Sequence, residues 1–145
     1  MWTLEKRGER LDCEQLRSFD QCRPTFAHRA IQTLIQAGLV HFVVSQNIDG
    51  LFLKAGISRS NLSELHGNYF LDQCSHCHRR FIRTRPSLTM GCKPTGDQCP
   101  RRSPRPCRGH LTDTILDWEQ SLPEEELILS EKHSQQADLA ICLGT

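Results

Sequence analysis

The chain has 145 residues, with 18 Lys/Arg against 17 Asp/Glu for a formal net charge of +1, and 37% of it is hydrophobic. That is about one domain's length, and Leu, Ile, Val and Phe, together roughly a quarter of the residues, exclude a wholly disordered chain. No run reaches the roughly 20 apolar residues of a membrane span, and Met1–Arg7 opens no secretory signal, so the expectation is a soluble, intracellular chain with no membrane partner.

In chain order, the first clear element is a helix over 24–37. Ala27, Ala30, Ile31, Leu34 and Ile35 recur at helical spacing, Pro24 and Thr25 suit a first turn, and Gly38 suits a left-handed stop. Leu39–Ser45 follows as a nearly continuous, β-branched apolar run, which predicts a strand buried on both faces of a parallel sheet. Behind it lie Ser45-Gln46-Asn47-Ile48-Asp49-Gly50-Leu51 and then Glu64-Leu65-His66-Gly67-Asn68. Amides, carboxylates and a histidine stand there, where an open α/β sheet places its ligand. An isolated histidine would more often be a satisfied structural residue; this one has a second polar segment close by.

From about Asp72 to His110 no period holds, and between Cys74 and His110 nine Lys/Arg face a single acid, Asp97. This reads as a small inserted module held together by something other than a hydrophobic core. Eight cysteines without a secretory signal favour metal over disulfides. Cys74-Ser75-His76-Cys77 is a C-x-x-C knuckle, and Cys99 and Cys107 complete four thiolates for a tetrahedral, closed and therefore structural zinc. His76, His78, Cys92 and His110 lie in or beside the module, and any of them could replace Cys99 or Cys107. Cys13, Cys22 and Cys142 lie outside it.

Thr112–Glu131 reverses the sign, with seven acids and no Lys or Arg. The basic and acidic segments are then ordinary solvated faces, separate units, or a mutually attracting pair. Pro123–Leu129 places Pro and acids where a helix N-terminus wants them, and Leu139–Leu143, closed by Gly144-Thr145, predicts a second buried strand. Helix, strand, insertion, helix, strand is the grammar of an α/β fold. The expected architecture is a partial Rossmann-like parallel sheet domain over 1–72 and 111–145, with a zinc-binding module inserted over 73–110.

Through Ser45–Leu51, Glu64–Asn68, the C-x-x-C module and the closing Leu143-Gly144-Thr145, the sequence resembles the sirtuins, the NAD-dependent protein-lysine deacylases. Trp2-Thr3 with Glu5 and Arg7-Gly8, Thr89-Met90-Gly91 with Lys93 and Thr95-Gly96, Cys107-Arg108-Gly109, Leu111 and Asp113–Glu119 carry a closer likeness to the nuclear, chromatin-associated sirtuin 6 branch.

The resemblance implies NAD and zinc as cofactors, acyl-lysine proteins such as histone tails as substrates, transfer of the acyl group to ADP-ribose with release of nicotinamide, mono-ADP-ribosyl transfer as a second activity, and a nuclear address. It makes His66 the general base, an imidazole whose ordinary pKa of about 6.5 leaves much of it neutral. Gln46 would orient the ribose, while Asn47 and Asp49 would hold the nicotinamide end and a bound water. Trp2 would stand beside the cofactor, and Gly144 and Thr145 would form the turn where backbone approaches it. Asp117, Trp118 and Glu119 would pair as a strand with the substrate peptide, Trp118 lining the acyl-lysine channel. The basic module is compatible with docking on nucleosomal DNA or an acidic histone surface.

No G-x-G occurs among the nine glycines, so the phosphate-binding fingerprint is absent and the expectation is an internal portion of a sirtuin domain. The alternative is a catalytically inactive fragment serving as a zinc-stabilised chromatin interaction module. With the resemblance set aside, a ribbon-like zinc module that binds nucleic acid remains.

Overall fold

The computed structural model describes residues 21–144. Trp2, Cys13 and Thr145 lie outside the described residues. Among those described, no helix is long and apolar enough to cross a membrane.

The first helix, α1, spans Phe26–Gln36 with Thr25 as its N-cap. Its stop is a Schellman motif: Gly38 takes φ +71°, its N–H donates to the Ile35 carbonyl, and the Leu39 N–H donates to the Leu34 carbonyl at 2.9 Å. The expected helix is therefore present, with frayed ends trimmed. The expected strand after it is shorter than the apolar run. Only Val43–Ser45 forms β1, and Val44 is 44% exposed, so the run is not buried on both faces.

A short helix α2 (Leu51–Lys54) and a 3-10 turn (Arg59–Asn61) carry the chain to β2 (Leu62–Glu64), all three residues of which are buried. β1 and β2 pair in parallel, Val43 opposite Leu62 and Ser45 opposite Glu64. A crossover connection with helix in it is what parallel pairing requires. This pair is the α/β part of the fold.

The second sheet is antiparallel, with the strands β3 (Leu71–Cys74), β4 (Arg80–Ile82), β5 (Pro94–Gln98) and β6 (His110–Asp113) in the order β4-β3-β6-β5. Its core is small: Cys74, Cys99, Cys107 and Leu111 are buried together, with Cys77 and Phe81 packed on them. Three of the four residues in so small a core are cysteines, so apolar burial supplies little of its order.

The last helix, α3, spans Glu124–Gln135, with Pro123 at its N-cap and Glu124, Glu125 and Glu126 in the first turn. The expected second buried strand does not form. Residues 139–143 take no strand, and Leu139, Ile141 and Leu143 are 78%, 68% and 70% exposed. A strand exists only by pairing, and no described strand lies alongside this run.

Candidate active site and metal centre

The parallel pair delivers both polar segments to one place, because Ser45–Asp49 leaves the C-terminal end of β1 and Leu65–His66 leaves that of β2. The ladder runs one step further, from the Leu65 N–H to the Ser45 carbonyl at 2.9 Å. His66 Nδ1 then lies 3.0 Å from the Gln46 carbonyl oxygen. A carbonyl can only accept, so Nδ1 carries a proton, and in the neutral ring Nε2 is then the acceptor, the form a base needs.

His66 sits in a turn fixed at both ends, the Gly67 N–H donating to the Glu64 carbonyl at 3.1 Å, while the His66 carbonyl accepts from Leu116 N–H at 3.1 Å. Tyr69 N–H donates to the Ile48 carbonyl at 2.9 Å and so pins the Gln46–Asp49 loop. Asp49 Oδ1 accepts from Leu51 N–H at 2.9 Å, capping α2, and the Asn47 N–H donates to Ser45 Oγ at 3.1 Å. Gln46 and Asn47 are exposed. Together these residues make a polar, reachable site at the C-terminal ends of two parallel strands, the place where an open α/β sheet binds its ligand.

Sequence reasoning missed the support beneath it. Glu64 Oε1 accepts from Asn68 Nδ2 at 2.7 Å and Oε2 from Arg59 Nη1 at 3.1 Å. Glu126 Oε2 accepts the Glu64 N–H at 3.0 Å, and Oε1 accepts Arg59 Nη2 at 2.9 Å and also Arg80 Nη1. Burial pushes the Glu64 carboxyl up to about 7, against the pull of Arg59 and Asn68. A cavity of about 240 Å³ is lined by Glu64, Glu126, Arg59, Arg80, Gly67 and Leu116, and lies beside this network and not at the His66 ring.

Asp117–Gln120, which takes in the segment that the resemblance pairs with a substrate peptide, forms a turn. The Gln120 N–H donates to the Asp117 carbonyl at 3.1 Å, Gln120 Oε1 accepts the Asp117 N–H at 2.8 Å, and Gln120 Nε2 donates to the Gly91 carbonyl at 3.1 Å. Trp118 is 71% exposed on it. Gly144 is exposed with φ +81° and is not brought near His66 by any described contact.

The cysteine centre resolves the open ligand set. The thiol sulfurs of Cys74, Cys77, Cys99 and Cys107 all lie within 4.8 Å of one another, with Cys74 Sγ 3.6 Å from Cys107 Sγ and Cys77 Sγ 3.7 Å from Cys99 Sγ. Tetrahedral zinc at about 2.3 Å from each sulfur sets them about 3.8 Å apart, so the donor set fits zinc. Neither His78, Cys92 nor His110 belongs to the cluster; His76 Nδ1 comes only to 3.9 Å from Cys107 Sγ.

Backbone N–H groups of His76 and Cys77 donate to Cys74 Sγ and that of Gly109 to Cys107 Sγ, each at 3.4 Å. Burial pushes the Cys74 thiol up, but those N–H donors outweigh it and bring it to about 6, whereas burial pushes Cys99 up to about 12. A dication is what would hold all four thiolates ionised together. Gly109 is obligatory here, since a Cβ would meet Cys74 Sγ at 2.6 Å.

A parallel strand pair that presents a histidine and two amides thus stands beside a four-cysteine module in one α/β chain. Residues 10–145 match the Sir2 family, and the chain belongs to that family. It is 48% identical to the NAD-dependent protein deacetylase Sirt6 of Drosophila melanogaster and 43% identical to the NAD-dependent protein deacetylase SRT1 of Arabidopsis thaliana, over its whole length in both cases. It spans 46% of the first relative and 30% of the second. A solved Sir2 complex with a p53 peptide and NAD+ superposes with a TM-score of 0.53 at 23% identity, over 81% of this chain and 46% of that one, a likeness of fold.

Proposed function

We propose that this chain is the catalytic-base and zinc-module portion of an NAD-dependent protein-lysine deacetylase. The observation that carries the reading is the His66 tautomer, with Nδ1–H held on the Gln46 carbonyl at 3.0 Å and Nε2 turned into the acceptor. NAD, when bound, supplies the ribose carbon that receives the acyl oxygen, with nicotinamide as leaving group. His66 Nε2 takes the proton of a ribose hydroxyl, Gln46 orients that ribose, and Asn47 and Asp49 hold the amide end of the cofactor. Asp117, Trp118 and Glu119 meet the acyl-lysine peptide, for which the Asp117–Gln120 turn must open. The resemblance assigns further cofactor contacts to Trp2, Gly144 and Thr145.

The finer reading is a nuclear enzyme acting on histone tails, with mono-ADP-ribosyl transfer as a second activity. Its support is the basic module. Arg80 and Arg83 are consumed by internal ion pairs, but Arg79, Arg102, Arg105 and Arg108 are exposed, a surface suited to nucleosomal DNA or an acidic histone patch.

The test is nicotinamide release by the zinc-loaded chain from NAD and an acyl-lysine peptide. His66→Ala should lower it by about a hundredfold or more. Charge reversal at Arg102 and Arg105 should weaken nucleosome binding and leave peptide turnover alone. No release from a folded, zinc-loaded sample would replace the enzyme reading with that of a zinc-stabilised interaction module.

A further inference from the structure

His66 occupies a turn between two fixed points. At one end stands Glu64, its N–H on Glu126 Oε2 at 3.0 Å and its carboxylate on Arg59 and Asn68. At the other stands Gly67, seated so closely against residue 114 that no side chain fits between them. The first anchor is not local: Glu126 lies on α3, and its carboxylate is also gripped by Arg80, which belongs to β4 of the cysteine module.

We infer that Arg80 and Glu126 are positioning residues: their ion pair ties the zinc module to the end of β2, so that an ordered module sets the orientation of the His66 imidazole. The inference rests on the reading of His66 as the base. The path is continuous. Arg80 Nη1 meets Glu126 Oε1, Glu126 Oε2 holds the Glu64 amide, and the Glu64 carbonyl accepts the Gly67 N–H at 3.1 Å to close the turn that contains His66. A second branch runs from Glu64 Oε1 through Asn68 Nδ2 at 2.7 Å to the cofactor loop, because Asn68 Oδ1 stands 2.9 Å from where a Gly50 Cβ would be.

Both carboxylates are almost wholly buried, with side chains 3% and 4% exposed, and Arg59 and Arg80 are about a quarter exposed or less. In such surroundings an ion pair is little screened and directional, and removing one partner leaves the other's charge stranded. Ser63 Oγ donates to the Glu126 carbonyl at 2.9 Å and accepts from Ser130 Oγ at 2.9 Å, which fixes the helix to the strand independently. Loss of the Arg80 contact would therefore reorient Glu126 and the Glu64 amide without detaching α3.

The experiment uses the zinc-loaded full chain with Arg80→Met, Glu126→Gln and Arg80→Lys. The readout is the position of the His66 ring cross-peaks by NMR, beside zinc content and the methyl resonances of Leu111 and Ile115. Arg80→Met and Glu126→Gln should each move the His66 signals while zinc stays bound and the two methyl signals stay in place, and Arg80→Lys should return His66 towards wild type. Nicotinamide release should fall about ten- to a hundredfold with KM for NAD unchanged, the mark of a misplaced base. His66 signals unmoved in the zinc-loaded Glu126→Gln chain, an isosteric change, would overturn the inference. A wild-type chain that releases no nicotinamide would sink the deacetylase reading, yet the His66 signals would still decide this one.

Discussion

Gly67 and Thr114 are in backbone contact so close that a Cβ on Gly67 would fall 1.8 Å from the Thr114 carbonyl oxygen. Gly67 also takes φ +88°, a conformation that side chains resist. Here the segment carrying His66 meets the one leading to Asp117, so the two turns are built as one piece. Gly67→Ala is expected to cost more than about 3 kcal/mol, from strain plus displacement of backbone. The urea midpoint of the zinc-loaded chain checks it, and a shift no larger than that of a surface alanine would contradict the contact.

The four-thiol centre predicts an asymmetry among the cysteines. Cys99→Ser should abolish stoichiometric zinc and with it the order of the antiparallel sheet, because the small core around Leu111 cannot stand without metal. Cys92→Ser and His76→Ala should keep one zinc per chain, since neither side chain is in the set. Metal analysis and circular dichroism read both outcomes. Zinc loss in His76→Ala, equal to that in Cys99→Ser, would require the ligand set to be redrawn.

What the sequence made legible was local or spaced by chemistry. The stop at Gly38 follows from a single glycine, and the C-x-x-C knuckle with two later cysteines points to a four-thiol set, although spacing alone left His76, His78, Cys92 and His110 open as substitutes until the four sulfurs were seen together. The two charge runs proved to be a mutually attracting pair at one point, with Arg80 on Glu125 and Glu126. The second strand was not legible, because an apolar run such as Leu139–Leu143 states only that it would pair if it had neighbours. Glu64 was passed over for a related reason: its amide is held by Glu126, 62 residues away in sequence, and a buried acid cannot be told from an exposed one until its partner is known.

Glu64 makes stability depend on pH in a defined direction. Burial raises its carboxyl from 4.5 to about 7, so between those values the folded chain holds a proton that the unfolded chain has lost. Stability from this group is therefore full below about pH 4.5 and falls as pH rises to 7. A gap of that width corresponds to on the order of 3 kcal/mol. Asp72, also raised by burial, adds to the same slope, whereas Asp97, lowered by its hydrogen bond to Arg83, opposes it at lower pH. In Glu64→Gln the melting temperature should change less between pH 5 and about 7.5 than in wild type. An identical pH profile in the two chains would rule out Glu64 as the source.

Asp113 is another buried acid, and three backbone N–H groups converge on it. Oδ1 accepts from Cys92 and Ile115, each at 3.0 Å, and Oδ2 from Lys93 at 2.9 Å. The carboxylate thus staples the loop after Met90 to the strand that runs on to Leu116 and the Asp117 turn. Asn at this position offers one acceptor oxygen and sets an N–H2 group against a donor, so at least one buried N–H is stranded. Asp113→Asn is expected to cost about 3 kcal/mol, and hydrogen exchange should quicken first at the Cys92, Lys93 and Ile115 amides. Protection unchanged at those three amides would mean that the loop is held by other bonds, the Gln120 contact to the Gly91 carbonyl foremost among them.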